Sequence, residues 1–436
     1  MSQVKTDKST KSIETTKQVF PMVKAYYAEA NKVAQDHSKK ICYVTGAGLV
    51  DIAWVYEDVL PIFPENFNAA CAAKQITPTL LDIAEGAGYA RDLCGYFRNY
   101  TGYFLGGKDL DLSFPGGGLP MPDFLMGDSS TCNFHLKWWR ETERLMGYKV
   151  PCYLLEVPYI PPRMDYDVLE SHYLDYTVKQ IKGLLEFIGK ITGKKLDEDR
   201  LREVVRLSGE ASALFEETQQ LRKAVPSPMG SEDGLSVLMP LVQWSGTQQA
   251  VDFYRNLRDE VKARVDNGIG VLPGEEKLRI LFDNIPPWFS LGIFNYLQKF
   301  DAVSVIETYT HYFHYSRGRL DPDKPYESLA RKYLYGCWFM TSVREKVENL
   351  FARYAQDYKV DGIISYALYG CKIATGFLPY QAKYMQEKLG IPSLILEGDM
   401  VDPRDYADGP VKNRVDAFME MLLEKKYQGM IKNTLL

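Results

Sequence analysis

Two separate runs of short β-rich segments alternate with amphipathic stretches, and about 100 residues without a strand pattern lie between them. This alternation constrains the fold more than any other feature, because parallel strands need crossover helices to join them. The first series begins with Lys40-Ile-Cys-Tyr-Val-Thr-Gly46 and continues through Asp123-Phe-Leu-Met-Gly127 and Val150–Val157. Helices are expected over 13–37, about Asp51–Val59, 89–104 and from Asp128 to about Met146. Pro64 and Glu65 suit another helix start, where a missing N–H and a negative charge are both favourable. From His172 to Asn267 the pattern is helical, over 172–193, 197–224 and 233–267, with a break near Ser245-Gly246. Strands return at Lys277–Phe282, Val303–Thr308, Gly362–Tyr366 and Ser393–Glu397, separated by helices over 289–300, 325–358 and 373–389, with a last helix at 412–427. The expected fold class is α/β, with two flavodoxin/Rossmann-like parallel-sheet lobes joined by a helical segment. The expected boundaries are 1–39 for an N-terminal helical extension, 40–160 for the first lobe, 161–272 for the helical segment and 273–436 for the second lobe. Residues 1–12 are expected to be disordered, and no internal repeat is visible.

Charge and motifs narrow the function. A net charge of −5 and a pI near 5.7 argue against a nucleic-acid partner, which needs a basic surface. The polar residues 1–20 lack the apolar core of a signal peptide, and no apolar run reaches membrane-spanning length, so a cytoplasmic chain is expected. No G-x-x-x-x-G-K-[ST] phosphate loop is present, so ATP hydrolysis by that route is excluded. Gly46-Ala-Gly48 lacks the third glycine of a dinucleotide fingerprint and reads as a tight turn. His311 and His314 have a spacing that can bind metal, but ordinary loop residues are the commoner reading. The 30 tyrosines imply aromatic cores and interfaces, with an aromatic substrate pocket as the sharper alternative.

Seven cysteines, an odd number at wide spacing, do not form a disulfide framework in a reducing compartment. Cys132 and Cys371 each follow a strand and precede a helix, where open α/β folds place ligands and where a thiol pKa is lowered. Cys94 falls on the helix expected over 89–104 and would approach from it. Thiolates from distant segments can hold an iron–sulfur cluster. On spacing alone, buried structural thiols remain the commoner alternative. Cys42, Cys152 and Cys337 read as core; Cys71 is ambiguous, with core favoured.

Around these cysteines the chain resembles the 2-hydroxyacyl-CoA dehydratase/benzoyl-CoA reductase family. The passages are Pro64-Glu-Asn-Phe-Asn-Ala-Ala70, Asp92-Leu-Cys-Gly-Tyr-Phe-Arg98, Ser130-Thr-Cys-Asn133, Tyr369-Gly-Cys-Lys372 and Glu397-Gly-Asp-Met-Val-Asp-Pro-Arg-Asp405. Each is short; their order and separation make the match specific. Within the family, length and aromatic-rich local sequence are most similar to the B-type chain of ATP-dependent benzoyl-CoA reductases. The resemblance implies a [4Fe–4S] cluster held by Cys94, Cys132 and Cys371, with one iron left for a non-protein ligand or the substrate. It implies a homologous sister subunit, ATP-hydrolysing activator subunits, and reduced ferredoxin as electron donor. The implied reaction is dearomatising reduction of benzoyl-CoA, with Glu65, Asn66 and Arg98 as candidate catalytic groups. Two alternatives stand beside it. One is a 2-hydroxyacyl-CoA dehydratase subunit, which would eliminate water through a ketyl radical. The other is a non-catalytic scaffold, which would carry no metal.

Overall fold

The computed structural model describes residues 9–46, 48–130, 132, 134–159, 166–311 and 320–434. Two four-stranded sheets form, and every strand pair in them is parallel. The first contains β1 (Lys40–Val44), β2 (Val59–Ile62), β3 (Phe124–Asp128) and β4 (Cys152–Leu155), in the order β2-β1-β3-β4. The second contains β5 (Leu278–Asp283), β6 (Ala302–Glu307), β7 (Gly362–Leu368) and β8 (Ser393–Gly398), in the order β6-β5-β7-β8. The two-lobed α/β expectation holds. Both sheets also have the same strand order, a duplication of form with no visible repeat in the sequence.

In each sheet the chain reverses direction across the first strand, so a crevice opens beyond the carboxyl ends of the first and third strands. Cys132 follows β3 and Cys371 follows β7, so the two thiols occupy equivalent places in the two lobes.

Three local expectations fail for identifiable reasons. The helix expected over Asp51–Val59 is a single turn, Val50–Ala53, and the next apolar residues form β2. Pro61 disguises that strand because it cannot donate to a ladder; it sits opposite Cys42 on an edge strand, where this is tolerated. The helix expected over 89–104 begins only at Gly95, after Gly88 turns with φ +96°, so Cys94 precedes the first helical residue. Residues 10–12 are ordered. The Ser12 N–H and hydroxyl donate to the buried Asp233 carboxylate at 3.0 and 2.8 Å, and the Thr10 N–H donates to Asn295 at 2.8 Å. Residues 1–8, the Cys337 side chain and His314 lie outside what the structure describes.

The strandless stretch forms long helices, Tyr166–Thr192, Glu198–Leu221 and Gln248–Asp266. Asp197 caps the second by accepting the Asp199 and Arg200 N–H groups, and Thr247 caps the third by accepting that of Ala250. The helix Pro325–Thr341 packs onto this layer; Leu329, Ala330, Tyr333 and Leu334 share a core with Ile181, Leu184, Leu185 and Ile188. The two lobes are therefore bound by helices crossing between them as well as by their facing ends. No helix among the described residues is long and apolar enough to cross a membrane.

Candidate functional site

Between the lobes lies a cavity of about 120 Å³ whose walls come from both sheets and from the helical layer. Glu65, Asn66, Cys94, Tyr96, Cys132, His135 and Trp138 line it from the first half of the chain. Asn284, Trp288, Tyr309, Cys371 and Met400 line it from the second, and Leu238, Met239 and Val242 close it from a short helix between them. The Trp288 indole N–H donates to the Tyr96 hydroxyl across the two lobes. One cavity brings together Cys94, Cys132, Cys371, Glu65 and Asn66, and leaves out Arg98.

All three cavity thiols stand at helix starts. Each sulfur accepts backbone N–H groups from the turn that follows it: Phe97 for Cys94, Phe134 and His135 for Cys132, and Ala374 for Cys371. Burial nevertheless dominates, raising Cys94 and Cys371 and pushing Cys132 up to about 12. Thiols in such a place become thiolates only when a cation joins them, and the N–H groups then stabilise the sulfur charge. Among the described residues no three His, Cys, Asp or Glu side chains close around a single metal ion. A polynuclear cluster differs in kind, since its thiolates bind separate irons and stand further apart. Three soft donors around one cavity, each backed by N–H groups, fit an iron–sulfur cluster.

Two close approaches fix this arrangement. A methyl on Gly370 would lie 2.6 Å from the Leu93 carbonyl oxygen and 2.8 Å from the Cα of Cys94, so only glycine lets the Cys371 turn dock on the Cys94 turn. A methyl on Gly95 would overlap the Asp399 carboxylate. Gly370→Ala is therefore expected to destabilise the protein by about 1–3 kcal/mol through overpacking against backbone. It should also lower iron retention after anaerobic reconstitution, because it drives Cys371 away from Cys94. Unchanged iron content and unfolding midpoint would refute this.

Beside the thiols lies a polar group that the sequence reading missed in part. His135 Nε2 is 3.1 Å from Glu65 Oε1. Burial opposes charging of His135, but the Glu65 hydrogen bond and the charges of Glu65 and Asp128 outweigh it, so its pKa is raised. Glu65 Oε2, Asn66 Nδ2 and His135 Nδ1 are buried atoms without a hydrogen-bond partner among the described residues. His135 could have been found from its place three residues after Cys132, which turns it back over the helix start. Because the folded pKa is raised, His135 contributes stability below about pH 6.5 that is lost as pH rises through the folded value. His135→Gln should thus lower the melting temperature more at pH 6 than at pH 8.5. A deficit that is the same at both pH values would exclude the pairing.

Arg98 lies elsewhere. Its side chain is fully buried behind Cys94, outside the cavity lining, with Nη1 2.6 Å from Glu85 and 3.4 Å from Asp402, and Nη2 3.6 Å from Asp399. Cys42 and Cys71 are fully buried and Cys152 lies in β4, none of them on the cavity. His311 is buried, with Nδ1 3.0 Å from the Glu307 carbonyl oxygen.

Comparison with known proteins agrees with the resemblance drawn from the motifs. The (R)-phenyllactyl-CoA dehydratase alpha subunit of Clostridium sporogenes is 26% identical over 365 residues, covering 84% of this chain and 85% of that one. The B-type chain of the Thauera aromatica benzoyl-CoA reductase is 29% identical over 380 residues, 85% of each chain. The (R)-2-hydroxyisocaproyl-CoA dehydratase alpha subunit of Clostridioides difficile is 26% identical over 406 residues, covering 92% of this chain and 94% of that one. The family model described as 2-hydroxyglutaryl-CoA dehydratase, D-component, matches residues 58–422, and the chain belongs to that family.

Proposed function

We propose that this chain is a cluster-bearing subunit of an ATP-dependent, ferredoxin-linked benzoyl-CoA reductase. The observation that carries the reading is the cavity between the lobes, where three thiols face walls built from Tyr96, Phe134, Trp138, Trp288 and Tyr309. Aromatic walls suit a flat ring, packing against its face and edge. Likeness to the B-type chain of the Thauera aromatica benzoyl-CoA reductase supports the same reading.

Cys94, Cys132 and Cys371 would hold a [4Fe–4S] cluster, which supplies single electrons at low potential. Overall, benzoyl-CoA takes up two electrons and two protons to give cyclohexa-1,5-diene-1-carbonyl-CoA. The first addition puts negative charge on the thioester carbonyl oxygen, and the unpartnered Asn66 Nδ2–H is a donor suited to it. Glu65 and His135, 3.1 Å apart at the cavity wall, serve as the proton-handling pair. The apolar walls exclude water, so protons reach the ring only through such groups. With no phosphate loop in this chain, ATP hydrolysis falls to activator subunits fed by reduced ferredoxin, and a homologous sister subunit completes the complex. Residues 40–160 and 273–436 act as the two lobes around the site, with 161–272 as the joining helical segment.

A second reading is favoured by the dehydratase alpha subunits among the relatives, and by the fact that an acid–base pair beside a low-potential centre also suits elimination of water from a 2-hydroxyacyl-CoA. The assembled complex is tested anaerobically with benzoyl-CoA, ATP and a strong reductant. Continuous ATP-linked electron consumption supports the reductase. Turnover of a 2-hydroxyacyl-CoA with only catalytic electron input would replace it with the dehydratase.

A further inference from the structure

Two buried polar side chains stand at the same place in the two sheets. Thr45 directly follows β1, and Asn284 directly follows β5. In each sheet that strand pairs with the one leading to a cavity cysteine, β3 for Cys132 and β7 for Cys371. The Thr45 hydroxyl accepts the Asp128 N–H at the end of β3, at 3.2 Å, and the Trp139 indole N–H, at 2.8 Å. Trp139 belongs to the helix Phe134–Leu145, which starts two residues after Cys132. Asn284 Nδ2 donates to the Tyr366 carbonyl oxygen in β7 at 3.0 Å and to the Ala374 carbonyl oxygen at 3.2 Å. Ala374 belongs to the helical turn Lys372–Thr375, which starts directly after Cys371. In each lobe, then, one side chain bridges the strand before the cysteine and the helical segment after it. The hydrogen-bond polarity is opposite, with Thr45 accepting twice and Asn284 donating twice.

Asn284 makes its bridge at a cost. Its φ is +89°, in the left-handed region that glycine enters freely and asparagine tolerates better than most side chains. Residues held in such backbone persist where their surroundings over-determine them, mostly at functional sites. Here the Asn284 N–H donates to the Thr308 hydroxyl at 3.2 Å and Oδ1 accepts the Ile285 N–H at 3.0 Å, so backbone and amide plane are both fixed. Glycine would relieve the strain but break the bridge. Burial also means that deleting either side chain leaves its partners unsatisfied. We propose that Thr45 and Asn284 are positioning residues, each fixing the turn that presents its lobe's cavity thiol, Cys132 for Thr45 and Cys371 for Asn284. The claim concerns the chain's own residues; its consequence for a cluster rests on the function proposed above.

The test uses the metal-free full-length chain, with hydrogen–deuterium exchange read by peptide mass spectrometry. The Thr375 and Gly376 N–H groups donate to the Cys371 and Lys372 carbonyls and report on the Cys371 turn. Asn284→Gly is expected to speed their exchange about ten-fold and to leave amides 134–139 within about two-fold of the parent, because local opening follows the hydrogen bonds lost. Thr45→Val, which replaces the hydroxyl by a methyl, should do the reverse. Thr45→Ser keeps the hydroxyl and should return exchange to the parent rate. If Asn284→Gly or Thr45→Val fails to fold, Asn284→Ser, too short to span both carbonyls, and Thr45→Ala take their places with the same expectations. A general loss of stability would speed both regions together in every variant. That result, or unchanged exchange at the turn concerned, overturns the proposal. In protein carrying a cluster, Asn284→Gly and Thr45→Val should each release iron to a chelator about five- to ten-fold faster and alter the electron paramagnetic resonance spectrum of the reduced cluster, while Thr45→Ser retains the parent spectrum. Parent release rates and spectra in both variants would overturn the positioning role. A chain that binds no iron yet shows the two selective changes in exchange would defeat the functional reading and leave the roles of Thr45 and Asn284 standing.

Discussion

Replacing Cys94, Cys132 or Cys371 singly with Ser is expected to leave anaerobically reconstituted protein with near-zero iron, against about four atoms per chain for one cubane cluster in the parent. Each thiol belongs to a different segment, and none has a neighbouring cysteine on its own turn to replace it. A serine hydroxyl is a hard, reluctant ligand that stays protonated where a thiolate forms. The fold should survive, because serine nearly matches cysteine in shape and all three side chains border the cavity. Far-ultraviolet circular dichroism is therefore expected to match the parent. Cys42→Ser and Cys152→Ser give the contrast: both lie in strands of the first sheet, so iron content should remain near that of the parent. Iron retained in full by any of the first three variants would remove that residue from the ligand set. A parent protein free of iron after careful anaerobic handling would favour the scaffold alternative.

Much of this site was legible because of where two cysteines stand. Cys132 and Cys371 each end a β-rich run, and strand ends in open α/β sheets converge on ligands. Pro64 and Glu65 marked a helix start correctly, and that helix brings Glu65 and Asn66 to the cavity. Cys94 was harder to read, since its placement depends on whether the helix begins at residue 89 or 95, and propensity barely distinguishes the two. β2 was hidden by Pro61, whose tolerance depends on being at an edge that only the assembled sheet defines. The aromatic walls were illegible for a different reason. Tyr96 and Trp288 meet although 192 residues separate them, and no local pattern encodes such a meeting. The same holds for Ser12 on Asp233, 221 residues away, which orders a segment whose composition alone suggests disorder.

Arg98→Met is expected to cost about 3 kcal/mol of stability near neutral pH, and less in mild acid. Removing one partner of a buried ion pair typically costs about 3–5 kcal/mol, because the remaining charge is left without compensation. Arg98 is fully buried among Glu85, Asp399 and Asp402, and it joins the helix after Cys94 to the loop after β8. Two features place the loss at the low end of that range. Arg404 still reaches Asp402 at 2.7 Å, and the Val401 and Asp402 N–H groups still donate to Asp399. Burial pushes Asp399 up to about 6, with Arg98 among the groups holding it down. Its folded pKa lies above the usual carboxylate value, so its charged form weakens the fold as pH rises through that range, and removal of Arg98 strengthens the effect. Urea unfolding of parent and variant should therefore diverge more at pH 8 than at pH 5.5. If Arg98 instead served the substrate directly, Arg98→Met would unfold at the parent's midpoint at both pH values and lose only turnover. The 0% exposure of the guanidinium and its absence from the cavity wall favour the first outcome.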